Sequence, residues 1–298
     1  MRLSKEASRS SVAASAPPTG ASERAPQPAR DGVAPAAPLE ARPLNTVVRA
    51  SSRVVPILVL FAAWEVLTRV GLIGTQILPS FWAVCVAGAD LLASGTLVQH
   101  LFVSLYRALG GLALSIVVGV SLGVGMARNR HVANFFDPLV SLVYPLPKTA
   151  LVPLTMVWLG VTDRAAILVI FLAGLLPIVV NTYHGVRNVD RVLLWSARSL
   201  GTPARGLFRR VVIPAAMPYI FNGVRIALPV SFIVVISVEL VASKVGVGNL
   251  INGYGGLGIY DYMFATILLF VVVAFVADRC AVRVGTGILR WHEERDAH

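Results

Sequence analysis

Residues Asp190 to Pro218 read DRVLLWSARSLGTPARGLFRRVVIPAAMP. Five arginines (Arg191, Arg198, Arg205, Arg209 and Arg210) face a single acid, Asp190, and apolar runs of membrane-crossing length stand on both sides. Asp190 is suited to cap a helix over 191–200, because its carboxylate accepts from the free N–H groups of a first turn. Leu193, Leu194, Ala197 and Leu200 then share a face, and Gly201 ends the helix in the left-handed conformation. Thr202-Pro203 restarts it, with threonine as cap and proline in the first turn, where a missing N–H costs nothing. Leu207, Phe208, Val211 and Val212 line one face of this second helix. Arg205, Arg209 and Arg210 lie away from that face, and Pro214 is expected to stop the helix.

Working outward, the 298-residue chain is 56% hydrophobic and only 14% charged, with a mean hydropathy of +0.74. A soluble protein carries roughly a quarter charged residues. Recurrent charge-poor runs near membrane length indicate a polytopic membrane protein, an all-α helical bundle. The net charge of +11 would also suit a nucleic-acid partner. However, the cations concentrate in the N-terminal tail and the loops, as membrane topology requires. Cys85 and Cys280 are isolated, with no metal-like spacing and no disulfide framework.

Residues 1–53, rich in Ala, Pro, Ser and Arg, are expected to be a disordered tail. The first 20 residues lack the apolar core of a signal peptide. A first span over 54–73 contains Glu65 and Arg69, paired at i,i+4. In 74–97, Pro79-Ser80 marks the start of a short surface helix. A second span over 97–127 is glycine-rich in its later half (Gly110, Gly111, Gly119, Gly123, Gly125), which lets helices approach closely in lipid. After the basic turn Arg128-Asn129-Arg130, residues 132–160 hold Pro138, Pro145, Pro147 and Pro153, with Lys148 among them. This predicts a broken or kinked span. Further spans are expected over 165–184 (with Pro177), 219–242 and 262–282. Gly246–Gly258 is expected to be a flexible loop and 284–298 a polar tail.

Lys and Arg are dense in 1–53, 128–130, 187–210 and from 279 on, and sparse in the alternate loops. The positive-inside rule then places both termini and the insert in the cytoplasm, with six spans and a permease core over 97–283. At this point the insert has three readings. It could lie on anionic lipid, read DNA as a helix-turn-helix, which the flanking spans disfavour, or dock into a cytoplasmic partner.

The insert resembles the EAA loop of binding-protein-dependent ABC importer permeases: EAA, three residues, Gly, nine residues, Ile, one residue, Leu-Pro. Trp195, Ser196 and Ala197 stand at the EAA positions, Gly201 at the Gly, Val211 at the Ile, and Ile213-Pro214 at the Leu-Pro. The spacing is met in full, while the acidic first position is Trp195. Over roughly residues 54–291 the chain is similar to permeases for nitrate, aliphatic sulfonates, taurine and related anions. The matching pieces include Ser104-Leu105-Tyr106-Arg107, Pro145-Leu146-Pro147-Lys148, Trp158-Leu159-Gly160, Gly246-Val247-Gly248 and Arg290-Trp291.

The resemblance implies a type I ABC importer permease of MetI-like architecture in a bacterial inner membrane. Its implied partners are ABC ATPase subunits, a periplasmic or lipid-anchored substrate-binding protein, a second permease copy and membrane lipid, but no nucleic acid. No cofactor would be bound by this chain, ATP and magnesium being used by the separate ATPase. The implied coupling segment is 187–214, through Trp195, Ser196, Ala197, Gly201, Leu207, Phe208 and Pro214. Ala197, Gly201, Leu207 and Phe208 are expected to dominate the docking energy, with the arginines supplying electrostatic steering.

For the translocation path, polar residues inside spans are the candidates: Asn181 with Thr182, Arg225, Ser237 and Glu239. The sequence shows no GxxxxGK[ST], no HExxH and five scattered histidines, so no nucleotide, metal or catalytic site is expected. An importer of another small solute, such as a vitamin precursor, is the alternative. An ion-coupled secondary transporter would show a matching broken helix in each half, and only one such region is found.

Overall fold

The computed structural model describes residues 44–71, 74 and 77–293, with the side chains of 44–54, 57 and 290–293 left aside. Of the tails expected over 1–53 and 284–298, residues 1–43 and 294–298 lie outside the described residues, and 284–293 continue the last helix rather than forming a separate tail. The order of elements is α1 (Leu44–Arg69), α2 (Phe81–Ala93), α3 (Thr96–Arg128), α4 (Arg130–Val143), a 3-10 turn (Lys148–Leu151), α5 (Val152–Leu159) and α6 (Asp163–Arg187). There follow α7 (Arg191–Ser199), α8 (Ala204–Leu207), a π-helical turn (Phe208–Val212), α9 (Ile213–Ala242), α10 (Val247–Gly256) and α11 (Tyr260–Glu293). Every regular element among the described residues is helical.

Among the described residues, four helices are long and apolar enough to cross a membrane: 96–128, 163–187, 204–242 and 260–289. The break expected around Pro145 and Pro147 is present, in a helix pair that is apolar enough, taken together, for a fifth crossing or a re-entrant loop. There α4 and the 148–159 segment meet at 95°, and Lys148 turns back to donate to the Tyr144 carbonyl. The expected first span corresponds to α1, which is less apolar than these and begins at Leu44, inside the stretch expected as tail. Leu44, Val47 and Val48 recur at helical spacing there, and extending a nucleated helix is cheap.

The centre is a three-helix stack of α3, α6 and α9, and small residues explain its closeness. A Cβ on Gly111 would lie 2.5 Å from the Ile170 side chain, one on Gly119 2.9 Å from Ile178, and one on Gly123 2.7 Å from Thr182. On the other side of α6, Gly223 meets the backbone at Pro177 and Ile178, while Gly185 receives Tyr219. Lipid tails are as apolar as leucine, so such close packing, rather than hydrophobic burial, holds helices together here. Gly110 and Gly125 make only ordinary contacts.

A second cluster forms where Val84, Ala87 and Leu91 of α2 meet Leu97 and Ala265. Ser80 caps α2, accepting from Ala83 N at 3.2 Å. α1 joins this group through Trp64, whose Nε1 donates to the Pro79 carbonyl at 3.0 Å. Glu65 makes the expected pair with Arg69 at 2.7 Å and also accepts from Phe81 N at 2.8 Å, which ties α1 to the start of α2.

Two expectations about continuity fail. The Gly246–Gly258 stretch is not a flexible loop, since α10 occupies Val247–Gly256 and its first turn is buried. Nor does Pro214 stop a helix, because the chain runs helically from Ala204 to Ala242. The π turn over Phe208–Val212 explains this. Ile213 N bonds back to Phe208 O, five residues away, so the widened ladder accommodates a proline that lacks an N–H and would crowd an α-helical carbonyl.

Candidate functional site

Polar chemistry concentrates at the two ends of the α3–α6–α9 stack. At one end, Glu239, one turn before the end of α9, has a fully buried side chain. A buried carboxylate is costly unless paired and hydrogen-bonded, and every neighbouring element contributes. Arg107 on α3 donates through Nη1 to Glu239 Oε1 at 2.8 Å, to Ser243 Oγ at 2.9 Å and to the Val245 carbonyl at 2.7 Å. Its Nε and Nη2 hold Asp163, the first residue of α6, at 2.8 and 2.7 Å. Ser104, one turn before Arg107, stands 2.9 and 2.8 Å from the two Glu239 oxygens and accepts from Val247 N at 2.9 Å. Gly248 N donates to Glu239 Oε2 at 2.9 Å.

The segment that closes over this carboxylate needs glycine. Gly246 has φ +130°, and a Cβ there would lie 2.3 Å from the Glu239 carboxyl carbon. At Gly248 a Cβ would lie 2.6 Å from the Glu239 Cβ. His100 Nδ1 adds a contact to the Gly246 backbone, 2.9 Å from O and 3.0 Å from N. The network thus clamps α3, α6, α9 and the start of α10 through one carboxylate and one guanidinium. Beside it, Arg107, Asp163, Ser243 and Lys244 border a cavity of about 300 Å³.

The other end carries the helical insert. Asp190 caps α7 as expected, accepting from Val192 N at 2.8 Å. At the far end Gly201, φ +76°, donates to Arg198 O at 2.9 Å, and Thr202 N donates to Ala197 O at 3.1 Å. These two bonds form a Schellman close. The second helix begins at Ala204, one position later than expected, with Pro203 before it.

The two helices present their apolar residues in opposite senses. Leu207 is buried against the rest of the chain. Phe208 is half-buried, with the Arg128 guanidinium carbon 4.4 Å from its ring centroid. On α7, Leu193, Leu194 and Ala197 turn inward and are half-buried. Val192 and Trp195, by contrast, are each 60% exposed, and Leu200 beyond them is 85% exposed. Ser196 and Gly201 are also exposed. Helical spacing puts Val192, Trp195, Ser196 and Ser199 on one face, with Arg191 and Arg198 along its edge. Pro214 and Arg210 border a cavity of about 370 Å³ behind α7, together with Asp190 and Leu193.

The five path candidates do not converge. Glu239 belongs to the clamp. Ser237 bonds back to Ile233 O at 2.9 Å and borders an apolar cavity of about 580 Å³ between α9 and α11. Asn181 donates to Pro177 O at 2.8 Å and accepts from Asn222 Nδ2 at 2.9 Å. Arg225 borders a separate cavity with Asn222. Thr182, whose Oγ1 is buried without a hydrogen-bond partner, sits in the α3–α6 contact. Sequence reasoning missed Arg107 and Ser104 as partners of Glu239, and Asp163 as a second partner of Arg107. The available signal was a second intramembrane charge of opposite sign, since neither ion is tolerable in a span alone.

Comparison with known proteins gives a consistent result. Residues 115–289 match the family described as Binding-protein-dependent transport system inner membrane component. SsuC of Escherichia coli (strain K12), named for aliphatic sulfonates transport, is 34% identical over 231 residues, 78% of this chain and 88% of its own length. The taurine transport system permease protein TauC of the same organism is 30% identical over 241 residues, 79% of this chain and 88% of its own. Among solved structures, the MetNI methionine ABC transporter in an inward facing conformation aligns with a TM-score of 0.56 at 18% identity. That alignment covers 66% of this chain and 97% of that one, and at such identity the likeness bears on the fold.

Proposed function

Since the chain belongs to the family of binding-protein-dependent transport system inner membrane components, we propose that it is the permease of an ATP-driven importer for a small sulfonate-bearing anion. Two copies cross the membrane side by side. A binding protein delivers the anion at the Glu239 end, on the extracytoplasmic side, and the insert faces the cytoplasm with both termini. Separate ATPase subunits use ATP and magnesium, and this chain performs no hydrolysis.

The observation that carries the reading is the exposed Val192–Trp195 face of α7. Two large apolar side chains stand 60% exposed on a helix held by a cap at each end and edged with arginine. A solvated loop has no use for such a face, whereas a helix seated in a partner's groove does. α7 therefore docks the ATPase through Trp195 and Val192, in place of the carboxylate that the EAA pattern carries at position 195. Leu207 and Phe208 serve on the inner side, tying the insert to the bundle. The unbroken helix from Ala204 to Ala242 gives motion of the docked ATPase a direct route into the span. The sulfonate preference rests on the sulfonate and taurine relatives.

The test is uptake of labelled taurine and ethanesulfonate by proteoliposomes holding this chain, its ATPase and its binding protein. Uptake is expected only with all three components and ATP. Uptake by this chain alone, driven by an ion gradient, contradicts the reading.

A further inference from the structure

We propose that Arg225, with Asn222 and Thr286, forms an anion-binding station in the insert-side half of the bundle, a reading that rests on the small-anion substrate above. Gly223 abuts Pro177 and Ile178 of α6, while Ala227 lies against Gly174. Arg225 is between these levels, on the insert side of the midpoint of a helix that runs from Asp163 to Arg187. A guanidinium keeps its charge in any protein setting, and a charge inside a span is costly unless it faces an opposite charge or water.

The two arginines of the stack, Arg107 on α3 and Arg225 on α9, are treated in opposite ways. Arg107 has every side-chain nitrogen engaged, by Asp163, Glu239, Ser243 and Val245. Arg225 makes no salt bridge or side-chain hydrogen bond among the described residues, and it is exposed. It borders a cavity of about 230 Å³ between α9 and α11. One water needs only about 10–15 Å³ of such space, so there is room for a small anion and part of its hydration.

The lining suits a sulfonate. The guanidinium offers a planar fork of N–H donors, the geometry that takes two oxygens of one anion. Asn222 spends one amide hydrogen on Asn181 Oδ1 and has another to give. Thr286 bonds back to Arg283 O at 3.0 Å and edges the cavity from α11. Among the described residues no carboxylate borders this cavity, so nothing repels the anion. Phe221 fills the notch at Gly285 and walls one side. An anion would meet a single positive charge here, strong enough to admit it and weak enough to release it.

The experiment uses the complete reconstituted transporter with taurine and ethanesulfonate. Arg225→Gln is expected to lower uptake at least about 30-fold, as loss of a charged hydrogen bond would. Arg225→Lys should be milder, because the charge stays while the fork is lost. Both variants should co-purify with the ATPase and a second permease copy in normal proportion. In a chain carrying Cys85→Ala and Cys280→Ala, Arg225→Cys should react with a water-soluble thiol reagent.

Wild-type uptake by Arg225→Gln overturns the proposal, as does failure of the thiol reagent to reach Arg225→Cys. Loss of the second permease copy in Arg225→Gln overturns it too, since Arg225 would then be pairing with a carboxylate of that copy. If the unaltered transporter takes up neither anion, the substrate reading falls, and this station with it. That result is separate from a variant that still transports.

Discussion

The two ends of this bundle handle exposed chemistry in opposite ways. At the Glu239 end, charge is buried and answered within the chain: one carboxylate, one guanidinium, a serine hydroxyl and a glycine N–H close on each other. At the insert end, apolar surface is left uncovered on Trp195, Val192 and Leu200, while the arginines stand in the open. A closed polar network resists motion, because each member loses its partner if one moves. A capped helix with an uncovered apolar face has gained little from its own chain and gains on docking. The first end holds the shape, and on the proposed reading the second receives force.

The comparison breaks most visibly at the clamp. Glu239→Ala or Arg107→Ala leaves a buried charge without its partner and should cost about 3–5 kcal/mol of stability. Thermal unfolding of the purified chain in detergent measures it, and a change under about 1 kcal/mol would mean that the clamp is incidental. Gly246→Ala comes next. It places a Cβ 2.3 Å from the Glu239 carboxyl carbon at φ +130°, with an expected cost of about 3 kcal/mol. Unfolding near wild type would show that the start of α10 yields easily and that the Glu239 end is soft. The smallest effect belongs to the other end. Asp190→Ala removes the cap of α7 and should cost only about 1 kcal/mol, read as faster hydrogen exchange at Val192 with the spans unchanged. Exchange that rises throughout α3, α6 and α9 would mean that the insert is as integral as the clamp.

Much of this arrangement is legible in the sequence where local chemistry governs. Apolar runs mark the spans, Ser80 and Asp190 mark helix starts, Gly201 marks a stop, and the proline cluster marks the bend. Glycines of α3 announce close packing, though which of the five touch α6 depends on α6. The clamp was not legible as a clamp. Arg107 and Glu239 are 132 residues apart, and nothing local in either helix names its partner. Gly246 and Gly248 looked like flexibility because the same residue serves a loose loop and a tight approach, and only the carboxylate beneath them tells which. Pro214 looked like a stop because the π turn that accommodates it has no sequence signature of its own. Within the insert, leucine, phenylalanine and tryptophan read equally as anchors. Only the bundle decides that Leu207 faces in and Trp195 faces out.

That last division allows the most direct measurement. In detergent or nanodiscs, the affinity of the ATPase subunit for this chain is compared among wild type, Trp195→Ala and Leu207→Ala, with the unfolding of each variant measured alongside. Trp195→Ala is expected to weaken ATPase binding by about 2 kcal/mol, roughly 30-fold, while unfolding shifts by less than about 0.5 kcal/mol. Leu207→Ala is expected to do the reverse, costing about 2 kcal/mol or more of stability with little change in affinity per folded molecule. Unaltered ATPase binding by Trp195→Ala, with the chain fully folded, would contradict the account of the insert as the docking end.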